Sequence, residues 1–463
     1  MKAFLLMINC IPVQQKVVIL GGGESGVGAA ILAKSKGFEV FLSDKGKLHK
    51  KYIEELEKEG IAFEQEQHTT DKILEANLII KSPGIPDTVP LILALKKKHI
   101  PVISEIEFAA GFTNARIVAI TGSNGKTTTT LLIYHLLKSA GLKVGLAGNI
   151  GDSFAWQVAT QQHDFYVLEI SSFQLDNIVS FHPEISVLLN ITPDHLDRYG
   201  YDFQNYIDSK FKIIQNQTAE DYFVYFTDSE VIKTELAKRK PQVRGVEISL
   251  NSKPTKGAHF SNGVLVADIL GKAFKENFEN LPLKGPHNAI NAMAAISVAQ
   301  LLGIDHAKIS EGLKSFKNAP HRLEIVEVID GVTYVNDSKA TNVDSVFYAL
   351  GSFSQPVILI AGGVDKGNDY SQIEELVRNK VKGLIVLGKE PTKLVSYFSE
   401  IVPVIFETES IQEAVNKAGE WAVNQDIVLL SPACASFDLF KNYEDRGDQF
   451  KAAVRNLVRS NTI

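Results

Sequence analysis

The chain has 463 residues, 45% apolar and 22% charged, the balance of a soluble globular protein with room for about three domains. Its formal net charge of -6 gives no general attraction to nucleic acid or to an anionic membrane, and no basic stripe interleaved with aromatics occurs. Two cysteines, Cys10 and Cys434, are too few for a disulfide framework and suit a reducing, cytoplasmic compartment.

The opening MKAFLLMINCIPV has only a short apolar run and no small-residue cleavage site, so an extension, or a start at Met7, is expected rather than a signal peptide. No stretch approaches a membrane span. The first domain, roughly 1–110, begins with a strand at Lys16–Leu20, a loop Gly21-Gly22-Gly23-Glu24-Ser25-Gly26 and a helix over Val27–Ser35. The G-x-G-x-x-G spacing supplies a tight turn, close backbone approach to phosphate and close helix–strand packing. Phe38–Leu42 is the next strand, with Asp44 at its end where a ribose hydroxyl can be held. Read alone, this is an NAD site. A purely structural turn and a different diphosphate-linked ligand are the alternatives. A third strand, Leu78–Lys81, ends in Ser82-Pro83-Gly84-Ile85-Pro86, a stiffened loop at the carboxyl edge of the sheet.

The second domain, roughly 111–318, is organised around Ile117–Thr130. A buried strand runs into Thr121-Gly122-Ser123-Asn124-Gly125-Lys126-Thr127, and a helix is expected from Thr128 to Ser139. Strand, tight loop and helix start together place backbone N–H groups around an anion. Lys126 can reach outer phosphates and the Thr127 hydroxyl can sit on magnesium, so the loop is expected to bind a nucleoside triphosphate. One departure from the general phosphate-loop pattern is Ile120, where that pattern has glycine. The next strands are Lys143–Ala147, leading to Gly148-Asn149-Ile150-Gly151, then Asp164–Ile170 and Ile185–Leu189. Glu169 sits where a second carboxylate would complete a magnesium site. The polar run Asn190–Tyr199 after the third is a site candidate, and no Cys/His spacing suggests zinc. An amphipathic helix over Phe203–Gln215 carries Lys210 and Lys212, neither distinguished by periodicity. Residues 240–280 read as short structural strands and turns. Leu283–Asn291 then opens an alanine-rich helix to Leu302, with Asn288 and Asn291 on one face as adenine contacts or helix-start caps.

The third domain, roughly 319–463, opens with a hairpin turning at Asp330-Gly331. Strands at Val332–Val335, Pro356–Gly363, Gly383–Leu387 and Ile427–Leu430 follow, and a closing helix is expected from about Gly447 to Arg459. Arg322, Lys339 and Lys366 suit a strongly anionic ligand. Cys434, among small apolar residues without a His–acid partner, reads as buried and structural.

The segments TGSNGKTT, GNIG, LEISSFQL, TPDHLDRYG, GPHNAINAMAA, PHRLE, NDSKATN, GGVDKG and LSPACASFDLFKNYEDRG resemble those of the Mur ligases over nearly the whole chain. The resemblance implies an α/β protein of three domains: an N-terminal Rossmann-like domain, a central P-loop-type ATPase domain and a C-terminal Rossmann-like domain. It implies ATP-dependent joining of D-glutamate to UDP-N-acetylmuramoyl-L-alanine through an acyl phosphate, in peptidoglycan precursor synthesis, by a cytoplasmic monomer. By that resemblance Gly122, Ser123, Asn124, Gly125, Lys126, Thr127 and Thr128 hold the ATP phosphates. Thr127, Glu169 and His195 bind Mg2+, together with Lys210 once CO2 has converted it to a carbamate; Lys212 is the alternative in that helix. Asn288 and Asn291 lie at the adenine, Arg322 at the phosphates and Asp337 at the nucleotide ribose. Lys339, Thr341, Lys366, Ser436, Phe437 and Tyr443 line the D-glutamate pocket. Ser25, Asp44, Lys45, Ser82 and Gly84 form the uridine diphosphate site, and Asn149 and His195 lie where the carrier approaches magnesium. The glycine turn is thereby assigned without NAD. A nicotinamide-dependent oxidoreductase would leave Lys126, Glu169 and His195 idle, and a regulatory nucleotide binder would bind ATP without turnover.

Overall fold

The computed structural model describes residues 15–460 except 270, 272 and 366. Cys10, the other leading residues to Val13, and Lys366 therefore lie outside the described residues. Two compact units are present: one runs to Asn277 and takes in Ile290–Ser315, the other comprises Phe278–Ala289 and the chain from Phe316.

The first unit holds two sheets. In the first, β1 (Lys16–Leu20), β2 (Glu39–Ser43), β3 (Ala62–Glu64), β4 (Leu78–Lys81) and β5 (Val102–Ser104) are all parallel, in the order β3-β2-β1-β4-β5. Central strands such as KVVIL and LIIK are near-continuous apolar runs because both faces are buried. The order reverses between β1 and β4, so the loops Gly21–Gly26 and Ser82–Pro86 leave adjacent strand ends, the place where such sheets bind ligands. Helix α1 (Glu24–Ser35) starts three residues earlier than expected. Its third loop glycine is forced by contact: a Cβ on Gly26 would lie 1.8 Å from the Gly21 carbonyl oxygen.

After α2 (Glu105–Ala110) comes the second sheet, of order β14-β13-β12-β11-β10-β9-β6-β8-β7. Its strands are β6 (Arg116–Thr121), β7 (Val144–Gly148), β8 (Phe165–Glu169), β9 (Ile185–Leu188), β10 (Tyr222–Phe226), β11 (Arg244–Ser249), β12 (Gly257–Ser261), β13 (Val264–Asp268) and β14 (Phe274–Asn277). Strand β6 is central, flanked by the ends of β8 and β9. Helix α3 (Lys126–Ser139) takes in Lys126 and Thr127, two residues more than the threonine run suggests, because burial of Thr127–Thr130 outweighs their low helix propensity. Next come α4 (Phe154–Thr160) and α5 (Phe203–Phe211), the latter tightening into a 3₁₀ turn at Lys212–Ile214. Helix α6 (Pro286–Leu301) carries the asparagine pair.

The carboxylates of α2 meet backbone N–H groups of the second-sheet layer. Buried Glu107 accepts from Val179 N, Ser180 N and Phe181 N at 2.9, 2.8 and 2.8 Å, and from Ser180 Oγ at 2.6 Å. Glu105 Oε1 accepts from Ser153 Oγ at 2.8 Å and from Ala155 N, at the start of α4, at 2.6 Å. Burial pushes the Glu105 carboxyl up to about 7, outweighing these bonds. The folded state thus holds this proton more firmly than the unfolded chain does. Its contribution to stability is complete below the ordinary carboxyl range and is lost as pH rises through about 7. Glu105→Gln keeps an acceptor for both bonds and removes the charge, so it is expected to raise stability at pH 8 by on the order of 2 kcal/mol and to leave it unchanged at pH 5. Urea unfolding at the two pH values checks this; equal shifts at both would refute it.

The second unit is built on β15 (Glu324–Ile329), β16 (Val332–Asn336), β17 (Val357–Ala361), β18 (Val381–Leu387), β19 (Ile405–Thr408) and β20 (Ile427–Leu430), in the order β15-β16-β20-β17-β18-β19. Among the described strands of this sheet only the β15–β16 hairpin is antiparallel, and its turn residues Asp330 and Gly331 both have positive φ, 50° and 79°. The closing helix α7 runs over Tyr443–Ser460, four residues longer at its start than expected, with Glu444 and Asp445 placed favourably at its positive end.

Candidate active site

In the first unit the loop Gly122–Gly125 leaves β6 and enters α3 through Gly125, whose φ of 82° requires glycine; a Cβ there would lie 2.5 Å from Asn291 Oδ1. Lys126 curls back over the loop, its Nζ donating to Gly122 O at 2.7 Å and Ser123 O at 2.8 Å. The polar run after β9 braces this loop. Asn190 Oδ1 accepts from Asn124 N at 2.8 Å, and Ser123 Oγ donates to Thr192 O at 2.9 Å. Asn291 Oδ1 accepts from Thr129 Oγ1 at 3.0 Å, which ties α6 to α3.

Glu169 ends β8 and is buried. Its Oε1 accepts from Asn149 Nδ2 at 2.8 Å, whereas Oε2 is buried with no hydrogen-bond partner among the described residues. A buried carboxylate oxygen left open in this way fits a bound cation. Among the described residues no three His, Cys, Asp or Glu side chains gather as a ready-made metal cluster. A divalent ion at Glu169 would therefore need oxygens of other kinds, such as the Thr127 hydroxyl and phosphate. His195 is held in left-handed backbone (φ 53°), edge-on to the Phe173 ring at 5.1 Å.

The two lysines of the 203–215 segment separate clearly. Lys210 on α5 is buried; its Nζ donates to Gly122 O at 2.8 Å and stands 4.6 Å over the Tyr206 ring. Burial, and then the neighbouring Lys126 ammonium, hold its pKa well below the ordinary lysine range. Lys212 lies in the 3₁₀ turn, part-exposed, and donates to Asp176 O at 3.0 Å.

A cleft of about 960 Å³ at the carboxyl edge of the first sheet brings together Gly21, Gly23, Asp44, Lys45, Ser82 and Gly84. Asp44 is engaged by the loops themselves: one oxygen accepts from Gly22 N and the other from Gly46 N at 2.6 Å. Ser25 lies in the first turn of α1. Arg198, not singled out from the sequence, donates to Pro83 O at 3.2 Å and Gly84 O at 3.3 Å while stacking 4.4 Å over Phe173. Its places in the polar run Asn190–Tyr199 and in the quoted TPDHLDRYG segment were its signals.

In the second unit, Asn288 and Arg322 line one cavity of about 640 Å³ together with Leu283, Lys284 and Phe353. Asn288 Nδ2 donates to Lys284 O at 2.8 Å. Asp337 is buried, accepting from Ser431 Oγ at 2.9 Å and Leu323 N at 3.2 Å; burial pushes its carboxyl up to about 7. Lys339 Nζ stands 4.9 Å over the Tyr443 ring, Ser436 is buried, Thr341 is half-buried and Phe437 is exposed. Cys434 is buried and burial pushes its thiol up to about 11, which agrees with a structural role. Arg446 was not singled out from the sequence, although it lies in the quoted LSPACASFDLFKNYEDRG segment; it is buried, and its guanidinium donates to Ser338 O at 2.9 Å and Cys434 O at 3.2 Å.

The comparisons with known proteins agree on a class. The description "Mur ligase middle domain" matches residues 120–299, "Mur ligase, glutamate ligase domain" matches 321–434, and "Mur ligase MurD-like, N-terminal domain" matches 15–104. The chain belongs to the Mur ligase family. It is 53% identical to the UDP-N-acetylmuramoylalanine--D-glutamate ligase of Christiangramia forsetii, over 96% of this chain and 100% of that one. It is equally 53% identical to the enzyme of that name from Cytophaga hutchinsonii, over 96% and 99%. In fold it is similar to a pseudomurein peptide ligase type C from Methanothermus fervidus, with a TM-score of 0.61, 21% identity and coverage of 96% and 100%.

Proposed function

We infer that this chain is an ATP-dependent ligase that joins D-glutamate to UDP-N-acetylmuramoyl-L-alanine in peptidoglycan precursor synthesis. The observation that carries this is identity of 53% over the full length of D-glutamate ligases of that name. The division of labour follows the three sheets: a Rossmann-like domain, 1–110, for the uridine diphosphate carrier, a P-loop-type domain, 111–318, for ATP, and a Rossmann-like domain, 319–463, for the amino acid. A cytoplasmic monomer is the proposed working form.

The carrier carboxylate attacks the γ-phosphorus of ATP, the bond to the β-phosphate oxygen breaks, and ADP leaves an acyl phosphate. The D-glutamate amine then attacks the acyl carbon, and the tetrahedral intermediate expels phosphate to leave the amide. Lys126 and Arg322 offset charge on the transferring phosphoryl group. The open oxygen of Glu169 supports a magnesium ion held with Thr127 and His195, which when bound would neutralise phosphate charge. Burial and the neighbouring Lys126 disfavour the Lys210 ammonium, and its neutral amine has the lone pair needed to add CO2, losing a proton to become a carbamate. Lys339, Thr341, Lys366, Ser436, Phe437 and Tyr443 receive D-glutamate.

The test is ADP release with ATP, magnesium and the carrier, comparing D-glutamate, L-glutamate, L-lysine and meso-diaminopimelate. Stimulation by D-glutamate alone is expected. Stimulation by another amino acid would keep the chemistry and overturn the pocket assignment; silence with all four would overturn ligation itself.

A further inference from the structure

Ser43, Glu64 and His68 form a relay beside the first-sheet cleft. Ser43 Oγ lies 2.7 Å from Glu64 Oε1 and 2.7 Å from His68 Nδ1, yet it has one proton to give. Glu64 also accepts from Thr69 N at 2.7 Å and Thr69 Oγ1 at 2.5 Å. Burial works against its charge, but these bonds outweigh burial and hold the carboxyl below its ordinary range. Ionised, Glu64 can only accept, so the Ser43 hydroxyl donates to it. The serine oxygen then needs a donor on its other side, and among the described residues the side-chain group placed to give one is His68, through a proton on Nδ1. Burial lowers the His68 pKa, with Asp44 and Glu64 opposing and Lys45 assisting, so the ring is neutral near pH 7. A neutral ring protonated at Nδ1 offers Nε2 as a bare acceptor.

His68 lines the cleft that contains Gly21, Asp44 and Ser82, together with Ile85, Val89 and Leu91, an apolar surface on which a flat ring can lie. We propose that His68 Nε2 accepts the imide N3–H of uracil and is the residue that selects uridine over cytidine nucleotides. Uracil presents a donor at N3 where cytosine presents a lone pair. Acceptor against acceptor leaves both groups without a hydrogen bond, a penalty of roughly 10–100-fold in affinity. Serine and glutamate act behind the histidine by fixing its tautomer. This role rests on assigning the cleft to the uridine diphosphate carrier.

The experiment is calorimetric titration of the full chain with UDP and, separately, CDP. Wild-type protein is expected to prefer UDP by at least about tenfold. His68→Phe keeps a planar ring without the acceptor and should bring the two nucleotides within about threefold, mainly by weakening UDP. Ser43→Ala, which frees the tautomer, should lower the preference by about threefold or more, and it decides the matter if His68→Phe does not fold. An undiminished preference in a folded His68→Phe or Ser43→Ala variant overturns the role of His68, as does equal binding of UDP and CDP by the wild type. Absence of UDP binding by the wild type overturns the carrier assignment instead, and the base-reading role with it.

Discussion

Lys210→Ala is expected to lower D-glutamate-dependent ADP release by about 10³-fold, the scale seen when a charge-stabilising group is removed from a transition state. The reason lies in where its nitrogen stands. Lys126 and Lys210 both donate to the carbonyl oxygen of Gly122, at 2.7 and 2.8 Å. Two full positive charges on one carbonyl in a buried setting are mutually unfavourable, and Lys210 is the deeper of the two. A neutral amine at that point is the nucleophile that CO2 requires, and carboxylation would turn a costly cation into an anion able to serve the metal. A short free carboxylate such as acetate is therefore expected to restore part of the activity of Lys210→Ala but none of that of Lys210→Arg, whose guanidinium keeps the positive charge. Lys212→Ala should stay within about threefold of wild type, because its ammonium sits part-exposed on Asp176. Loss of activity in Lys212→Ala with full activity in Lys210→Ala would reverse the assignment.

Arg446→Met is expected to destabilise the second unit by about 3–5 kcal/mol, read as a fall of roughly 10 °C in its melting temperature. The guanidinium is almost wholly buried, and among the described residues no carboxylate hydrogen-bonds to it, although Asp438 is near enough to favour its charge. It is met instead by Ser338 Oγ at 3.0 Å and by the carbonyls of Ser338, Gly362 and Cys434. Those carbonyls belong to the loops that follow β16, β17 and β20, three neighbouring strands. Removing the five-donor fork leaves them unpaired in the interior. Lysine cannot replace it, since one ammonium does not span three loops. The surviving folded enzyme should show a raised KM for D-glutamate with the KM for ATP little changed, because Lys339 and Ser436 ride on two of those loops. A variant that melts normally and keeps its D-glutamate KM would overturn this account.

Much of this site was legible in the chain because its most telling parts are local. The glycine turn at Gly21–Gly26 and the loop Gly122–Thr127 are each written in a handful of consecutive residues, and each falls between the strand and helix its spacing demands. Glu169 was legible for the same reason, as a lone carboxylate at a strand end. Lys210 and Lys212 were not separable, since two residues along a helix changes the face but not the composition; only packing shows which one is buried. Arg198 and Arg446 lie in quoted segments but could not be singled out within them, because their partners are mostly carbonyl oxygens of other loops, and every residue has a carbonyl. The early start of α7 was missed because its first turn, Tyr443–Arg446, reads as polar loop until the buried Arg446 anchors it.

The joint between α2 and the second-sheet layer has a consequence for mutational tolerance. On one side stand two particular carboxylates, Glu105 and Glu107; on the other, the groups received are mostly main-chain N–H, those of Ala155, Val179, Ser180 and Phe181. Main-chain donors survive almost any substitution except proline. The receiving segments are thus free to change in sequence while the docking geometry persists, provided positions 105 and 107 keep a side-chain acceptor. The tolerance of this seam is one-sided: random substitution is expected to be harmful in the six-residue helix that carries the acceptors and largely harmless in the segments that donate to it.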